Sequence, residues 1–340
     1  MEGGYDFDSD ELNRSVQSCR PAGSSFKPLY YSAAIEKGYH VAQPILDIPR
    51  SEYDYVRKQN WTPGNIDEEY AGEVTLARAI IASKNAPSIR VFEYVGIQDA
   101  LDWVRRLGIS TRIAADKSSA LGSSCVRVAD MVQAFATFNR GGTKVKPVYI
   151  RRVLDAEGRV VEDHAHLRDP YLDPRARIDA VVRKTWDRPE RVMKPTTAYI
   201  MTYLLQAVAT RGTGYGARKI GRPVAGKTGT HSDHYDVWFV GFTKELVTAA
   251  WMGHDLNDRQ LAGYATGGNT AIPIWLSYMS RAVAGQPARN FPEPGGIVWL
   301  GSEAGRAPFE RGNEPKAEDK VQRPGTANAP SVEDPSRVEF

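Results

Sequence analysis

Three short apolar runs lie close together in the C-terminal part of the chain: 222–229 (RPVAGKTG), 236–243 (DVWFVGFT) and 246–253 (LVTAAWMG). Each has the length of a strand, and only short polar segments separate them. Parallel pairing needs a crossover of a dozen or more residues, so the three runs are expected to form an antiparallel meander. The outer members, 222–229 and 246–253, then become edges. The run 246–253 is apolar and lacks the charges or prolines that usually protect an edge, which predicts an aggregation hazard there.

The rest of the ordered chain reads mainly as helix. Apolar residues recur at three- and four-residue intervals in TLARAIIA, PSIRVFEYVG, ALDWVRRLG and VADMVQAFATFNRGG between residues 75 and 142, and again in TTAYIMTYLLQAVATRG and AIPIWLSYMSRAVAG. A further helix is expected over 21–38, with Gly38 at its stop position. KVKPVYIRRVLDAEGRVVED reads as a hairpin turning near Glu157-Gly158. The fold class expected is α/β in the α+β sense, an antiparallel sheet flanked by helices beside an all-helical region. From residue 301 the chain has no Leu, Ile, Met, Trp or Tyr, which predicts a disordered tail over 301–340. The expected division is a main domain over 1–285, a short extension over 286–300, and that tail.

Charge excludes one class of partner. Forty-four Lys and Arg residues against 41 Asp and Glu leave +3, too slight a bias for a nucleic-acid surface. The N-terminal MEGGYDFDSDELNR is acidic and has no apolar stretch of the signal-peptide kind. No run approaches the ~18 apolar residues that span a bilayer. Cys19 and Cys125 are too few for a disulfide framework or a zinc site and are expected as two unpaired, partly buried thiols. His231 and His234 flank a polar loop with no third ligand in sight, so no metal is expected there; His164 and His166 read as solvated.

Three short motifs carry chemistry. Ser24-Ser25-Phe26-Lys27 is S-x-x-K at a helix start, where one helical turn brings an amine to a hydroxyl that needs a proton acceptor to become a nucleophile. Ser83-Lys84-Asn85 is S-x-N in a loop between two helical stretches. Lys227-Thr228-Gly229-Thr230 is K-T-G plus a threonine on the first strand; its cation and hydroxyls suit a carboxylate, and its glycine allows close approach. Each motif alone arises often by chance. The three in this order, each on its expected element, match the set found in penicillin-binding proteins and class A β-lactamases.

The similarity extends beyond the trio. GGYDFDSDELNRSVQSCRPAGSSFKP, TLARAIIASKNAPSIRV, ALGSSCVRVADMVQAFATFNRGG and GRPVAGKTGTHSDHYDVWFVGFTKELVTAAWMGHD resemble the corresponding segments of class A penicillin-binding proteins, from about residue 3 to residue 285. The resemblance implies a β-lactamase/transpeptidase-like fold and a serine D-alanyl-D-alanine transpeptidase that needs no cofactor. Its implied substrates are peptidoglycan stem peptides and its covalent inhibitors are β-lactams. It implies that Ser24 attacks, Lys27 accepts the proton, Ser83 relays it, Asn85 holds Lys27 and the substrate amide, and Lys227, Thr228 and Thr230 bind the terminal carboxylate beside Gly229. It also implies a place on the periplasmic face of the inner membrane, and two sheet strands ahead of the GGYDF segment that this sequence lacks. A truncated, non-catalytic module is therefore the main alternative. A class A β-lactamase is the lesser one, since no E-x-x-L-N lies between the second and third motifs, and a class C enzyme would carry Tyr-x-Asn in place of Ser83-Lys84-Asn85.

Overall fold

The computed structural model describes residues 1–54, 58–163, 190–231, 234–256, 258–301, 305–316 and 319. The meander forms as expected. Ala225–Thr230, Asp236–Phe242 and Val247–Gly253 pair antiparallel with Asp236–Phe242 in the middle. Register sets Val240 beside Lys227 and places Trp238 between Gly229 and Trp251. The middle strand is buried along its whole length, because both faces of the sheet are covered. Successive side chains point to opposite faces. Trp238, Val240 and Phe242 thus enter the larger core with the helices, while Val237 and Phe239 join a second cluster with Ile272, Trp275 and Met279 of the helix Ile272–Ala282.

The outer strand Val247–Gly253 pairs only with the middle strand among the described residues. It is the unprotected edge that its composition predicts.

The helical region comprises Leu76–Ile81, Asn85–Val95, Ile97–Leu107 and Val128–Asn139. Two further helices form the centre of the molecule. Lys27–Glu36 is buried from Lys27 through Ile35, and Pro195–Arg211 carries buried residues around its whole circumference, the pattern of a helix enclosed on all sides. Pro195–Arg211 packs on both the Lys27–Glu36 helix and the Ala225–Thr230 strand. It therefore joins the helix that follows Ser24 to the sheet. The helix expected over 21–38 is shorter than predicted, and its first turn, Gly23–Phe26, is 3₁₀. The hairpin expected near Glu157 is present as Arg152–Leu154 against Val160–Asp163, with Gly158 at φ +80° in the turn.

Two expectations need correction. Cys19 and Cys125 are not free thiols but a disulfide, with Cα atoms 5.2 Å apart. The adjoining strand pair, Arg20↔Val126 and Pro21↔Cys125, brings them together. The region after 301 is not uniformly irregular either. Ala307–Glu310 pairs with Ile297–Leu300, and Phe309 is buried in the main core. One aromatic anchor outweighs the polar average of the segment around it. Residues 320–340 of the expected tail lie outside the described residues.

Candidate active site

The first wall of the cleft is the turn that carries Ser24. Gly23 adopts φ +53°, a conformation that favours glycine. A Cβ there would also lie 2.6 Å from the Thr230 carbonyl oxygen. A Cβ on Gly122 would strike the Gly23 main chain, and one on Gly229 would strike the Ala22 carbonyl. Backbone thus meets backbone, and the turn that carries Ser24 is pressed against the K-T-G strand. Gly23 N–H donates to Gly122 O (3.1 Å), and Trp238 Nε1 donates to Pro21 O (2.8 Å). The Cys19–Cys125 disulfide closes the same region five residues before Ser24.

The two adjacent serines differ. Ser25 is fully buried and donates its hydroxyl to Ala22 O (2.8 Å). Ser24 is 7% exposed, and its Oγ makes no hydrogen bond among the described residues, to Lys27 and Ser83 included. Its hydroxyl is also absent from the polar atoms sealed away from water without a partner. It is the one open to a substrate.

Behind Ser24, two fully buried lysines converge on the S-x-N loop. Lys27 Nζ donates to Ser83 O (2.7 Å), Lys84 O (3.1 Å) and Asn85 Oδ1 (2.8 Å). Lys227 Nζ donates to Ser83 Oγ (2.8 Å) and Thr228 O (3.2 Å). The three motifs, spread over two hundred residues of sequence, therefore meet in one hydrogen-bonded cluster. Burial pushes Lys27 well below the ordinary lysine range, and the neighbouring Lys227 adds to this. Burial alone pushes Lys227 down to about 7. The three acceptors around Lys27 Nζ work in the opposite sense, because they favour the ammonium.

The S-x-N loop has its own support. Ser83 sits at φ +60°, rare for a residue with a side chain. Asn85 opens the helix Asn85–Val95, and the backbone N–H groups of Asn85 and Ala86 both donate to Asn65 Oδ1 (2.8 and 3.1 Å). Asn65 thus caps that helix from twenty residues away. Its own Nδ2 donates to Asp47 Oδ1 and Glu69 O, both at 2.7 Å. Lys84 Nζ donates to Asp67 Oδ2 (2.8 Å) and Glu69 O (3.0 Å). Asn85 Nδ2 donates to Gly64 O (2.8 Å). None of this network was visible in the sequence, where Thr62-Pro63-Gly64-Asn65 reads only as a turn.

On the K-T-G strand, Thr230 Oγ1 accepts from Gly267 N–H (3.1 Å), and the Thr228 hydroxyl lies 2.7 Å from that of Thr213. His234 Nδ1 lies 2.7 Å from Ala265 O. Among the described residues no three His, Cys, Asp or Glu side chains gather as metal ligands; His164 and His166 lie outside those residues. A separate hollow of about 540 Å³, lined by Phe138, Tyr199, Lys244 and Phe291, lies toward the N-terminal end of the Pro195–Arg211 helix, away from the motifs.

Comparison with known proteins decides the family. Residues 1–276 match the model of the penicillin binding protein transpeptidase domain. The chain belongs to that family. Its relatives are of the penicillin-binding protein 1A kind: it is 37% identical to penicillin-binding protein 1A of Neisseria lactamica over 302 residues, which is 88% of this chain and 36% of that protein. It is 34% identical to penicillin-binding protein 1A of Pseudomonas aeruginosa over 331 residues, covering 88% and 40%. The chain thus spans little more than a third of the length of these relatives. Among solved structures, penicillin-binding protein 1A of Haemophilus influenzae superimposes with a TM-score of 0.81 at 27% identity, covering 92% of this chain and 51% of the other. PonA1 of Mycobacterium tuberculosis gives 0.69 at 25%, covering 86% and 75%. The transpeptidase fold and the class A penicillin-binding family are therefore those the wider sequence resemblance implied. No helix among the described residues is long and apolar enough to cross a membrane.

Proposed function

We propose that this penicillin-binding transpeptidase domain is a serine-type D-alanyl-D-alanine transpeptidase that cross-links peptidoglycan through an acyl-enzyme on Ser24. The observation that carries the reading is the buried cluster Lys27–Ser83–Lys227, with Asn85 bonded to Lys27, behind an unbonded Ser24 hydroxyl. Ser24 Oγ attacks the carbonyl carbon of the penultimate D-alanine. Its proton passes to Lys27, in neutral form, and through Ser83 to the amine of the departing D-alanine as the peptide C–N bond breaks. The backbone N–H groups of Ser24 and Thr230 stabilise the oxyanion. Lys227, Thr228 and Thr230 hold the terminal carboxylate, with Gly229 giving the peptide room. An amine from a neighbouring stem peptide then attacks the ester, the cross-link forms, and the proton returns to Ser24 Oγ. Catalytic contacts often tighten only when substrate binds, which fits the absence of a Ser24–Lys27 hydrogen bond.

β-Lactams, which imitate the D-Ala-D-Ala end, would acylate the same hydroxyl. Solved relatives include PonA1 in complex with penicillin V. The natural location on this reading is the periplasmic face of the inner membrane. Fluorescent penicillin is the test: stable labelling of the wild-type chain that disappears in Ser24→Ala and persists in Ser25→Ala is expected. An unlabelled wild-type chain would leave the non-catalytic module as the better description. Continuous turnover of nitrocefin would make it a β-lactamase.

A further inference from the structure

We infer that Thr213 is a substrate-binding residue, a third hydroxyl beside those of Thr228 and Thr230 that completes the carboxylate site of the K-T-G strand and sets its selectivity for a free C-terminal carboxylate. This rests on the transpeptidase reading above. Thr213 lies just past the end of the Pro195–Arg211 helix and is solvent-exposed, yet its hydroxyl is 2.7 Å from Thr228 Oγ1.

Three elements fix it there. Its N–H points to Ile81 O (3.4 Å), two residues before Ser83. Gly212 leaves no space for a Cβ against that same carbonyl, and a Cβ on Gly268 would come within 3.3 Å of the Thr213 carbonyl oxygen. Thr213 therefore sits at the seam between the S-x-N segment and the K-T-G strand, on its solvent-exposed side.

The chemistry follows from the donor inventory. A threonine hydroxyl has one proton and rotates to suit its partner. With no anion present, one of the two hydroxyls spends its proton on the other. An arriving carboxylate lets both rotate and donate, one to each carboxylate oxygen or both to one. Thr230 Oγ1 already accepts from Gly267 N–H and keeps its own proton free. Lys227, whose Nζ lies against Ser83 Oγ, supplies the charge, and Thr213 supplies a donor that only a carboxylate in this orientation uses fully. An ester or amide at the same place offers a weaker acceptor pair.

The test compares acylation rates with benzylpenicillin and with its methyl ester for wild type, Thr213→Val and Thr213→Ser. Val keeps the shape and removes the hydroxyl; Ser restores it. Hydrogen bonds to charged groups set the scale: Thr213→Val should lower the second-order acylation rate by the free acid about 10- to 100-fold. The rate with the ester should change little, and Thr213→Ser should recover most of the loss. Equal rates for Val and wild type with the acid would overturn the inference while leaving the transpeptidase reading intact. An equal fall with acid and ester, or no rescue by Ser, would overturn it too, since either assigns the hydroxyl a structural role. A wild-type chain that reacts with neither probe removes the transpeptidase reading, and this inference with it.

Discussion

The two walls of the cleft reach comparable precision by different physics. Around Ser24 the geometry is backbone against backbone: Gly23, Gly122 and Gly229 each stand where a single added carbon would meet main chain, and a disulfide closes the region. Around Ser83 the geometry is held by side chains, with Asn65 bonded to the helix start on one side and to Asp47 and Glu69 on the other. The first wall tolerates no extra volume. The second depends on every polar group keeping its partner. The side chains of the three motifs hang between an interlock and a network.

The sharpest way to break the first wall is one methyl group. Gly23→Ala forces a Cβ toward the Thr230 carbonyl in a left-handed backbone; clash and strain together should cost about 3–5 kcal/mol. Penicillin labelling should vanish and the melting temperature fall, as calorimetry will show. Next is the disulfide. Cys19→Ser, or reduction with dithiothreitol, should destabilise by about 2–5 kcal/mol and slow acylation; identical urea midpoints with and without reductant would show that the backbone interlock suffices alone.

The second wall is tested by Asn65→Ala, which leaves the Asn85 and Ala86 N–H groups without their acceptor. A loss of about 1–3 kcal/mol is expected, with a slower acylation step at nearly unchanged binding in stopped-flow measurements. The smallest effect is that of pH. Lys227, lowered to about 7 by burial, is charged below that pH and neutral above it. Acylation by a carboxylate-bearing penicillin should therefore decline as pH rises through about 7, and by no more than about tenfold per unit. Stability should move the other way. Between pH 7 and the ordinary lysine value of 10.5, the unfolded chain binds the proton that folded Lys227 has shed, so unfolding becomes harder as pH rises across that window.

The interlock and the network also differ in how much of them the sequence reveals. The meander was legible because its short connections leave one pairing, and the motifs were legible because each is a contiguous string with a known spacing. The disulfide was not: Cys19 and Cys125 are 106 residues apart, and only the strand pair that forms after folding brings them together. Asn65 looks like an ordinary turn residue until Asn85 is known to lie beside it. Thr213 follows Gly212, which reads only as a helix stop. Phe309 was hidden by its own surroundings, since a compositional average over forty residues does not register one buried ring. In each case the missing information is a contact between distant segments, which periodicity and composition do not encode.

Ser83 leaves a mark on what sequences this fold can accept. At φ +60° glycine would relax the loop, and asparagine would be at home there. Serine is kept at a strained position while its hydroxyl receives the Lys227 ammonium. Strain of this kind costs on the order of 1–3 kcal/mol and persists only where the surroundings over-determine it. If Ser83 relays the proton as proposed, selection for stability and selection for turnover pull in opposite directions at one residue. A library screened for heat resistance alone would drift toward glycine at position 83 and lose the hydroxyl that accepts from Lys227, whereas a library screened for labelling would keep serine and accept the less stable loop.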